Sequence, residues 1–595
     1  MTVEFMKNFP VSQPPARVLL RVRAFGSYAL YVNGVLIHGF EKNTGDWKKT
    51  GSFDITGYLK RNAENSIIAY VGNVNGPPLL WLSVNGLNPH IGSDASWRLV
   101  PLNSFRPVRA VIADDTLPNP VSFKDPGPWA SMASKFSWLA LFFLASMGAF
   151  LLFRLPALKG VLKQRALPGG ALVIVVLALV YVFVHNLPRL PWWRGFDVSG
   201  HIAYLKRLVD GGGLPLATDG WEMYNPPLFY AIASAVYKLV YSLWGNMSYS
   251  FYGVKMISFA SGTAQAALAY IASGLVFPGD AAKRAAAVVF AGLLPMNIYI
   301  SQYISNESFA AALASATLVC AFWIMKKQKP SAGPFIILGI LLGMTLLAKM
   351  TAFVLTPAIL LALIADCIKK KAGLRRTAGL IAGALIAAFL VCGWFYIRNW
   401  IYLGNPAITN MDIAFGGRWW MDPGYHSIKY FTRFGMVFTA PFFSGFHSFW
   451  DGIYSTMWGD GLFSGTAYAA RPGWNYSFMS LVYLLSVPAA ILLLAGLCLA
   501  FRDFITQGSP AGLLIVSSVC LFGFVIITLA LQKPYYAIPK AFYGLSLEMP
   551  LSLAFAAAMG GANDWLKLKK LNVARAVLFG WSGTLALSIL AAFYI

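Results

Sequence analysis

The pattern of apolar and polar positions changes near residue 115. Before it, apolar and polar residues alternate in short runs such as Tyr28–Val32 and Ser66–Val71, which is the period of a half-buried β-strand. Asn33-Gly34 follows one of these runs and is a strong signal for a hairpin turn. We therefore predict an antiparallel β-sandwich over residues 1–115.

Long apolar runs dominate from residue 136, after a linker at 116–135. Several are shorter than the roughly 20 residues that cross a bilayer. The runs are Phe136–Phe153, Gly170–Leu187, Pro227–Trp244, Met256–Phe277, Ala285–Ile300, Phe309–Met325, Phe335–Leu347, Phe353–Ala365, Gly379–Ile397, Ser477–Ala500, Ala511–Leu531, Met549–Met559 and Ala576–Ile595. This pattern predicts a mostly α, polytopic membrane domain over 136–595, with about twelve spans and one partial helix.

Composition agrees with a membrane protein, because 57% of the 595 residues are hydrophobic and only 12% are charged. The net charge of +24 comes largely from short basic clusters between apolar runs, and these clusters are too dispersed to follow a nucleic-acid backbone. The positive-inside rule places them in cytoplasmic loops. They are Arg154–Arg165, Lys326–Lys329, Lys369–Arg376 and Lys567–Lys570.

This orientation places Asp197 and Asn306-Glu307 on the external side, so an even number of crossings must separate them. Three apolar runs lie between them. We therefore predict that Pro227–Trp244 is re-entrant or interfacial. The β-sandwich must also be external, yet no signal peptide precedes it. We expect that the natural start lies upstream and adds one helix; the alternative is that a later segment directs translocation.

The stretch Phe196–Tyr230 (FDVSGHIAYLKRLVDGGGLPLATDGWEMYNPPLFY) gathers polar groups directly after an apolar run. Asp197 begins an amphipathic helical pattern, and His201 lies four residues later, on the same helical face. A Gly/Pro turn follows, and the stretch closes on Glu222, Tyr224 and a Pro-Pro pair. Charged residues this close to a bilayer are costly, so they are usually functional.

The order D-x-x-x-H-x-x-Y, a Gly/Pro turn and E-x-x-x-P-P-L-x-Y resembles the first external loop of the GT-C glycosyltransferases. This superfamily includes protein O-mannosyltransferases and lipid A aminoarabinose transferases, which take a sugar from a polyprenyl-phosphate carrier. The string G-W-F-Y-I-R-N-W-I-Y-L-G-N-P around Arg398 resembles another GT-C stretch, and Glu307 matches the position of a second acidic residue. The resemblance implies large external loops at 188–226 and 398–476.

Transfer of a sugar from a phosphate needs a carboxylate to take a proton and cations to hold the departing phosphate. Asp197 is the candidate base. The further catalytic candidates are Glu222, Glu307 and His201. The candidates for binding the carrier phosphate are Arg398, Lys540 and Lys349. The candidates for stacking on sugar or acceptor are Trp419, Trp420, Trp458 and Tyr224.

Each candidate has a structural alternative. Asp197 or Glu307 could cap a helix, and Glu222 could fix the Pro-Pro turn. Lys349 could extend to the interface, and Arg398 could anchor a helix end. The tryptophans could belong to the aromatic belt of a membrane protein, and His201 could be a hydrogen-bonded structural residue.

Metal dependence is left open. Many GT-C members carry two adjacent acidic residues in the first loop, whereas Val198 follows Asp197 here. The carboxylates and His201 could form an oxygen-rich Mg²⁺ or Mn²⁺ site, but their spacing does not require one. The five cysteines have neither metal-ligand spacing nor a disulfide framework.

The N-terminal order Y-A-L-Y-V-N-G, Asp46-Trp47, F-D-I-T-G-Y-L-K and N-S-I-I-A-Y-V-G-N resembles the galactose-binding-like jelly-roll modules of glycoside hydrolases. The resemblance implies a carbohydrate-facing role. The alternative is a sandwich that only packs on the membrane domain, with Trp47 or Trp81 in its core.

These observations predict an inverting glycosyltransferase in the plasma or inner membrane, active at its external face, that moves a sugar from a polyprenyl-phosphate carrier to a glycan, protein or lipid acceptor. The alternative is a transporter or flippase of lipid-linked sugars, which would need charged groups near the bilayer midplane on broken helices. A third possibility is a non-catalytic partner in polysaccharide export.

Overall fold

The computed structural model describes residues 2–13, 15–25, 27–40, 50–72, 78–101, 107–110, 112, 125–152, 166–410, 412, 426, 428–466, 470–532 and 538–595. The chain divides into two compact units. Met1–Pro118, Asn410–Thr432 and Leu529–Ile538 form the first, and the rest forms the second. The predictions for Trp47, Trp419, Trp420 and the basic cluster at 154–165 lie outside the described residues.

The first unit contains an antiparallel β-sandwich, as the alternating pattern predicted. Its six-stranded sheet has the order β10-β9-β1-β6-β3-β4, and its four-stranded sheet has the order β5-β2-β7-β8. The strands are β1 (Thr2–Val11), β2 (Leu19–Phe25), β3 (Ser27–Val32), β4 (Val35–His38), β5 (Gly51–Asp54), β6 (Ala63–Gly72), β7 (Leu79–Asn85), β8 (Ile91–Gly92), β9 (Arg98–Pro101) and β10 (Val108–Arg109).

Alternation along each strand explains the sandwich core. In β1 the residues Val3 and Phe5 point inward and pair with Val71 and Ala69 of β6. The four-stranded sheet supplies the facing side chains, including Leu20 of β2. Burying one side of each strand in this way sets the register, because a one-residue slip would expose the whole apolar set.

The predicted hairpin is confirmed. Asn33 and Gly34 join β3 to β4 with φ values of 51° and 82°, the left-handed backbone that such a two-residue turn requires. The Asn33 side chain also accepts a hydrogen bond from Ser66 N at 2.9 Å.

The chain beyond residue 125 is mainly helical, which confirms the predicted fold class. The helices are α1 (Pro128–Ser134), α2 (Phe136–Leu152), α3 (Leu167–Asn186), α4 (Val198–Val209), α5 (Leu228–Trp244), α6 (Met247–Val276), α7 (Ala281–Leu293), α8 (Pro295–Ser301), α9 (Asn306–Lys326), α10 (Ala332–Ala348), α11 (Leu355–Lys369), α12 (Leu374–Leu403), α13 (Ile428–Thr432), α14 (Phe449–Trp458), α15 (Tyr476–Leu485), α16 (Val487–Gln507), α17 (Pro510–Gln532), α18 (Glu548–Leu568) and α19 (Asn572–Phe593). Single 3₁₀ turns lie at Thr56–Tyr58, Ala217–Asp219, Met350–Val354, Met436–Phe438, Ser444–Phe446, Phe463–Gly465 and Ala541–Leu547.

Within the described ranges, nine helices are long and apolar enough to cross a membrane, or up to eleven if two bent pairs are counted as spans. This is close to the twelve or so expected. The predicted run Phe335–Leu347 lies in α10, which has 17 residues and is counted as a shorter apolar helix. The run Ser477–Ala500 is divided at Ser486 into α15 and α16, of which α16 is one of the nine. Helix α5 has 17 residues, or about 26 Å, slightly less than the hydrocarbon core. Its re-entrant or interfacial placement stays a prediction.

Two of the predicted basic loops, 326–329 and 369–376, meet at one end of the helical unit. Lys370 Nζ donates to Met325 O at 2.9 Å, and Lys369 Nζ donates to Gln507 O at 3.0 Å, so cations lie against the carboxyl ends of α9 and α16. Helix α9 begins at Asn306, one helix length away from Met325. The acidic residue that follows Asn306 therefore lies at the opposite end of the unit.

Helices α10 and α12 approach closely through a small-residue motif. Gly339 and Gly343 are four residues apart on α10, and a Cβ at Gly343 would lie 2.7 Å from the Ala388 carbonyl oxygen of α12. A Cβ at Gly339 would meet the Ala384 carbonyl oxygen in the same way. Such glycines let two backbones come together in a membrane, where packing drives association.

We expect Gly339→Leu to separate α10 from α12 and to lower the free energy of unfolding by about 1–3 kcal/mol, the usual effect of overpacking. Thermal unfolding of the purified protein in detergent measures this change. Gly383→Leu on α12 is the matched control, because a Cβ there meets nothing within 4 Å. Equal melting temperatures for both variants would contradict the close approach.

Candidate active site

Asp197 lies on a sharp turn just before α4. Its φ of 52° is left-handed, a strained conformation for a residue with a side chain. Its backbone oxygen accepts from Gly200 N and His201 N, but its carboxylate does not cap the described helix. Instead, the carboxylate is exposed and Oδ1 accepts from Trp221 Nε1 at 3.1 Å. Helix capping therefore does not explain this carboxylate.

The turn rests on a buried polar network. Gly195 has a φ of 132°, and a Cβ there would collide with the ring of Tyr303. Tyr303 Oη is 2.6 Å from Ser464 Oγ, which donates to Asp460 Oδ2 at 2.6 Å. The Asp460 carboxylate is fully buried and also accepts from Trp474 Nε1 at 3.0 Å. These contacts fix the backbone that carries Asp197.

A second set of polar side chains is buried beneath the turn. His201 and Glu222 are each 4% exposed, and His201 Nδ1 lies 2.7 Å from Tyr230 Oη and 3.9 Å from Glu222 Oε2. Asn225 Nδ2 donates to Glu222 Oε2 at 2.5 Å. Gly200 makes room for this carboxyl, since a Cβ there would lie 2.5 Å from Glu222 Cγ. Their spacing predicted that Asp197 and His201 share a helical face. In the structure Asp197 is exposed, whereas His201 is buried.

Burial sets the protonation of this pair. Loss of solvent is the main cause that raises the pKa of Glu222 to about 8, and the negative charges of Asp197 and Glu307 act in the same direction. The charge of Lys349 and the hydrogen bond from Asn225 act to lower it. Burial also lowers the pKa of His201 to about 4, despite the opposing charge of Asp197. Near neutral pH the site therefore holds a protonated carboxyl beside a neutral imidazole.

An ion pair lies next to these buried side chains, and it joins Glu307 of α9 to Lys349 at the end of α10. Lys349 Nζ lies 2.5 Å from Glu307 Oε1, and both side chains are buried. The neighbouring Asn306 donates to Asn225 Oδ1 at 3.0 Å, which links α9 to the Glu222 turn. Lys349 also acts electrostatically on Glu222.

Lys540 reaches the same site from the last part of the chain. Its Nζ lies 5.2 Å from the ring centre of Phe196 and 5.3 Å from that of Tyr543. Burial acts to lower the pKa of Lys540, but Tyr543, Asp197 and Glu307 outweigh it and raise the pKa above its usual value. This cation therefore interacts with both Asp197 and Glu307.

Arg398 is engaged in holding the loop. Its Nη1 donates to Pro215 O at 3.0 Å and its Nη2 donates to Leu214 O at 2.7 Å. Arg398 lies inside α12, which continues to Leu403, and thus fastens the Gly/Pro turn to that helix. Binding of a carrier phosphate by Arg398 would compete with these carbonyl contacts and stays a prediction.

The aromatic candidates lie in different surroundings. Tyr224 is half-buried, and burial followed by the charge of Glu222 raises its pKa well above its usual value, which places it beside the acidic residues. Trp458 is 3% exposed, packs edge-on against Phe290 and lines an apolar cavity. None of the charged candidates lines that cavity among the described residues.

Four residues of the site were not predicted from the sequence: Trp221, Asn225, Tyr230 and Asn306. Trp221, Asn225 and Tyr230 lie within the stretch Phe196–Tyr230, and Asn306 directly precedes Glu307. No local pattern indicates that these side chains would form hydrogen bonds within the site. Their roles depend on contacts across up to 81 positions.

The residues present do not form an evident metal site. In the described part of the chain, no three His, Cys, Asp or Glu side chains come together in a way that could hold a metal ion. Glu307 is paired with Lys349, and His201 directs Nδ1 at Tyr230. We therefore assign no step to a metal ion.

No protein-family model and no curated protein matches the chain. Among solved structures, the oligosaccharyltransferase of Archaeoglobus fulgidus, tethered with an acceptor peptide, is similar over 72% of this chain and 54% of its own, with 13% identity and a TM-score of 0.43. ArnT from Cupriavidus metallidurans is similar over 67% of this chain and 80% of its own, with 16% identity and a TM-score of 0.32.

The alpha-L-rhamnosidase from Dictyoglumus thermophilum is similar over 17% of this chain and 13% of its own, with 24% identity and a TM-score of 0.15. The chain thus spans 13% of this rhamnosidase and 54% of the oligosaccharyltransferase. These values describe partial similarity and assign no activity.

The shifted pKa values predict a pH dependence of stability. In the folded state Glu222 keeps its proton up to about pH 8, whereas an unperturbed glutamate loses it near 4.5. The contribution of Glu222 to the free energy of unfolding therefore falls as pH rises between these values. The pKa of His201 is lowered from 6.5 to about 4. Its contribution to the free energy of unfolding therefore rises with pH between these values. Between pH 6.5 and 8 the contribution of Glu222 still falls, whereas that of His201 no longer changes.

We therefore expect the melting temperature of the wild type to fall more steeply from pH 6.5 to 8 than that of Glu222→Gln. Thermal unfolding in detergent at closely spaced pH values measures the two slopes. Asp210→Asn, at an exposed position after α4, is the control and should keep the wild-type slope. Identical slopes for the wild type and Glu222→Gln would mean that Glu222 is ionised in the folded state.

Proposed function

We propose that this protein is a GT-C type glycosyltransferase that moves a sugar from a polyprenyl-phosphate carrier to an acceptor at the membrane surface. One observation carries the proposal: an exposed carboxylate on a strained turn, Asp197, lies over a buried protonated Glu222, with Lys349 and Lys540 beside them. This combination supplies a base, an acid and cations within one site. The loop motifs in Phe196–Tyr230 that resemble GT-C enzymes support the same reaction class.

Asp197 is the proposed base. The acceptor nucleophile attacks the anomeric carbon of the sugar, and its proton passes to the Asp197 carboxylate. The bond from that carbon to the phosphate oxygen breaks, and the polyprenyl phosphate leaves with the electron pair. This single displacement inverts the anomeric carbon. The hydrogen bond from Trp221 leaves the second oxygen of Asp197, Oδ2, as the proposed proton acceptor.

The departing phosphate gains negative charge and needs cations nearby. Lys540 is the stronger candidate, because its ammonium group is surrounded by aromatic rings and acts on Asp197 itself. Lys349 is already paired with Glu307, so binding of a phosphate would exchange one anionic partner for another. Glu222, kept protonated by burial, can donate a hydrogen bond to a sugar or phosphate oxygen.

The site lies at the end of the helical unit opposite the basic loops. The positive-inside rule places those loops in the cytoplasm, and we propose that the reaction occurs on the external side. A lipid-linked donor would reach this end from within the bilayer, with its isoprenoid among the apolar helices and its phosphate at their ends.

The N-terminal sandwich is proposed to face carbohydrate. Trp81 is 45% exposed on β7, so it does not belong to the core, and Arg23 of β2 lies 5.2 Å from its ring centre. An exposed indole beside a hydrogen-bonding side chain suits a sugar ring. The acceptor class, whether glycan, protein or lipid, is left open.

Asp197→Asn should lower the rate of sugar transfer by about 10²–10⁴-fold, because the amide cannot take the proton. The measurement is transfer of radiolabelled sugar from a panel of polyprenyl-phosphate sugars in proteoliposomes. Asp210→Asn, which lies at the far end of α4 and is exposed, should keep full activity. If the wild type instead moves the lipid-linked sugar across the bilayer without cleaving it, the protein is a flippase.

Lys540→Gln should lower kcat/KM for the donor by about 10- to 100-fold, the loss expected for a charged hydrogen bond of about 1.5–3 kcal/mol. Lys540→Arg should retain most of the activity because the charge remains. Lys238→Gln, at an exposed position on α5, is the control. An unchanged kcat/KM in Lys540→Gln would remove this residue from the phosphate site.

A further inference from the structure

An apolar cavity of about 260 Å³ lies in the helical unit. Helices α3, α7, α14, α16, α18 and α19 line it, mainly with Ala, Leu and Phe side chains. Several lining residues are partly exposed on the outer surface of the unit, including Leu167 at 45%. The cavity is therefore not fully enclosed, and most of its lining comes from helices that are long and apolar enough to cross a membrane.

The cavity is elongated along the helices. Helix α19 lines it from Phe579 to Ile589, which corresponds to about 15 Å of helix. Polar side chains are few along this length, apart from Asn563 and Ser582, so a polar ligand would lose its hydrogen bonds with water without replacement. A flexible alkyl chain fits both the shape and the chemistry.

Two cationic residues lie at one end of the cavity. Asn563 lines the cavity and its Oδ1 accepts from Arg575 Nε at 3.0 Å. Gly560 also lines it, and a Cβ there would collide with the side chain of Lys283. Lys283 Nζ is 3.0 Å from Asp280 Oδ2. The basic cluster Lys567–Lys570 spans the carboxyl end of α18.

We propose that the cavity binds an anionic glycerophospholipid of the leaflet at the basic end. One acyl chain occupies the cavity, and the headgroup phosphate lies between Arg575 and Lys283. The attraction of basic residues to anionic lipid favours this orientation, and the apolar lining accepts the acyl chain without burying an unpaired polar group. The polyprenyl carrier of the proposed reaction is a different occupant, because the residues assigned to its phosphate lie at the other end of the helices.

The test uses the full-length protein in detergent and native mass spectrometry, with phosphatidylglycerol and phosphatidylcholine of identical acyl chains as probes. We expect phosphatidylglycerol to bind the wild type at least 10-fold more tightly. The double variant Lys283→Gln/Arg575→Gln should bind both lipids equally and weakly. Lys238→Gln/Lys327→Gln removes the same charge elsewhere and should behave as the wild type.

Ala286→Trp fills the cavity and should abolish binding of both lipids. A second measurement does not depend on the folding of this variant because it uses the wild type: phosphatidylglycerol with a photoreactive acyl chain should label the α19 segment from Phe579 to Ile589. Equal affinity for the two lipids, or labelling confined to other helices, would overturn the proposal. Displacement of phosphatidylglycerol by a polyprenyl phosphate would reassign the cavity to the carrier.

Discussion

The left-handed turn at Asp197 is the constraint on which the rest of the site depends. A residue with a side chain adopts this backbone only when its surroundings compensate for the strain. Here Tyr303 packs against Gly195 from below, and Tyr303 is itself held by Ser464 and Asp460. The turn directs the carboxylate away from α4 and towards solvent, where a substrate can meet it.

Burial then divides the acidic residues into two kinds. Asp197 is exposed and hydrogen-bonded by an indole, whereas Glu222 is enclosed with His201 and keeps its proton to about pH 8. Two carboxyl groups close together but in different environments can act as base and acid at one pH. Lys349 neutralises Glu307 within the same site, and the exposed Asp197 interacts with the buried cation Lys540.

Different charged groups lie at the two ends of the same helices. At one end, lysines lie against carboxyl termini of helices, as Lys369 and Lys370 do. At the other end, acids and cations from distant segments meet around Asp197. In the low-dielectric environment between these ends an unpaired charge is costly, and this cost explains why charged residues gather at helix ends.

The sequence by itself determined the elements and their order, because strand and helix periods, the Asn33-Gly34 turn and long apolar runs are local properties. It also singled out Asp197, Glu222 and Glu307 as candidates, since acidic residues beside membrane segments are rare. Only the tertiary structure decided their contacts and their exposure. The bond from Trp221 to Asp197 and the pair of Lys349 with Glu307 join segments 24 and 42 positions apart, and the proton on Glu222 depends on burial, which no local pattern encodes.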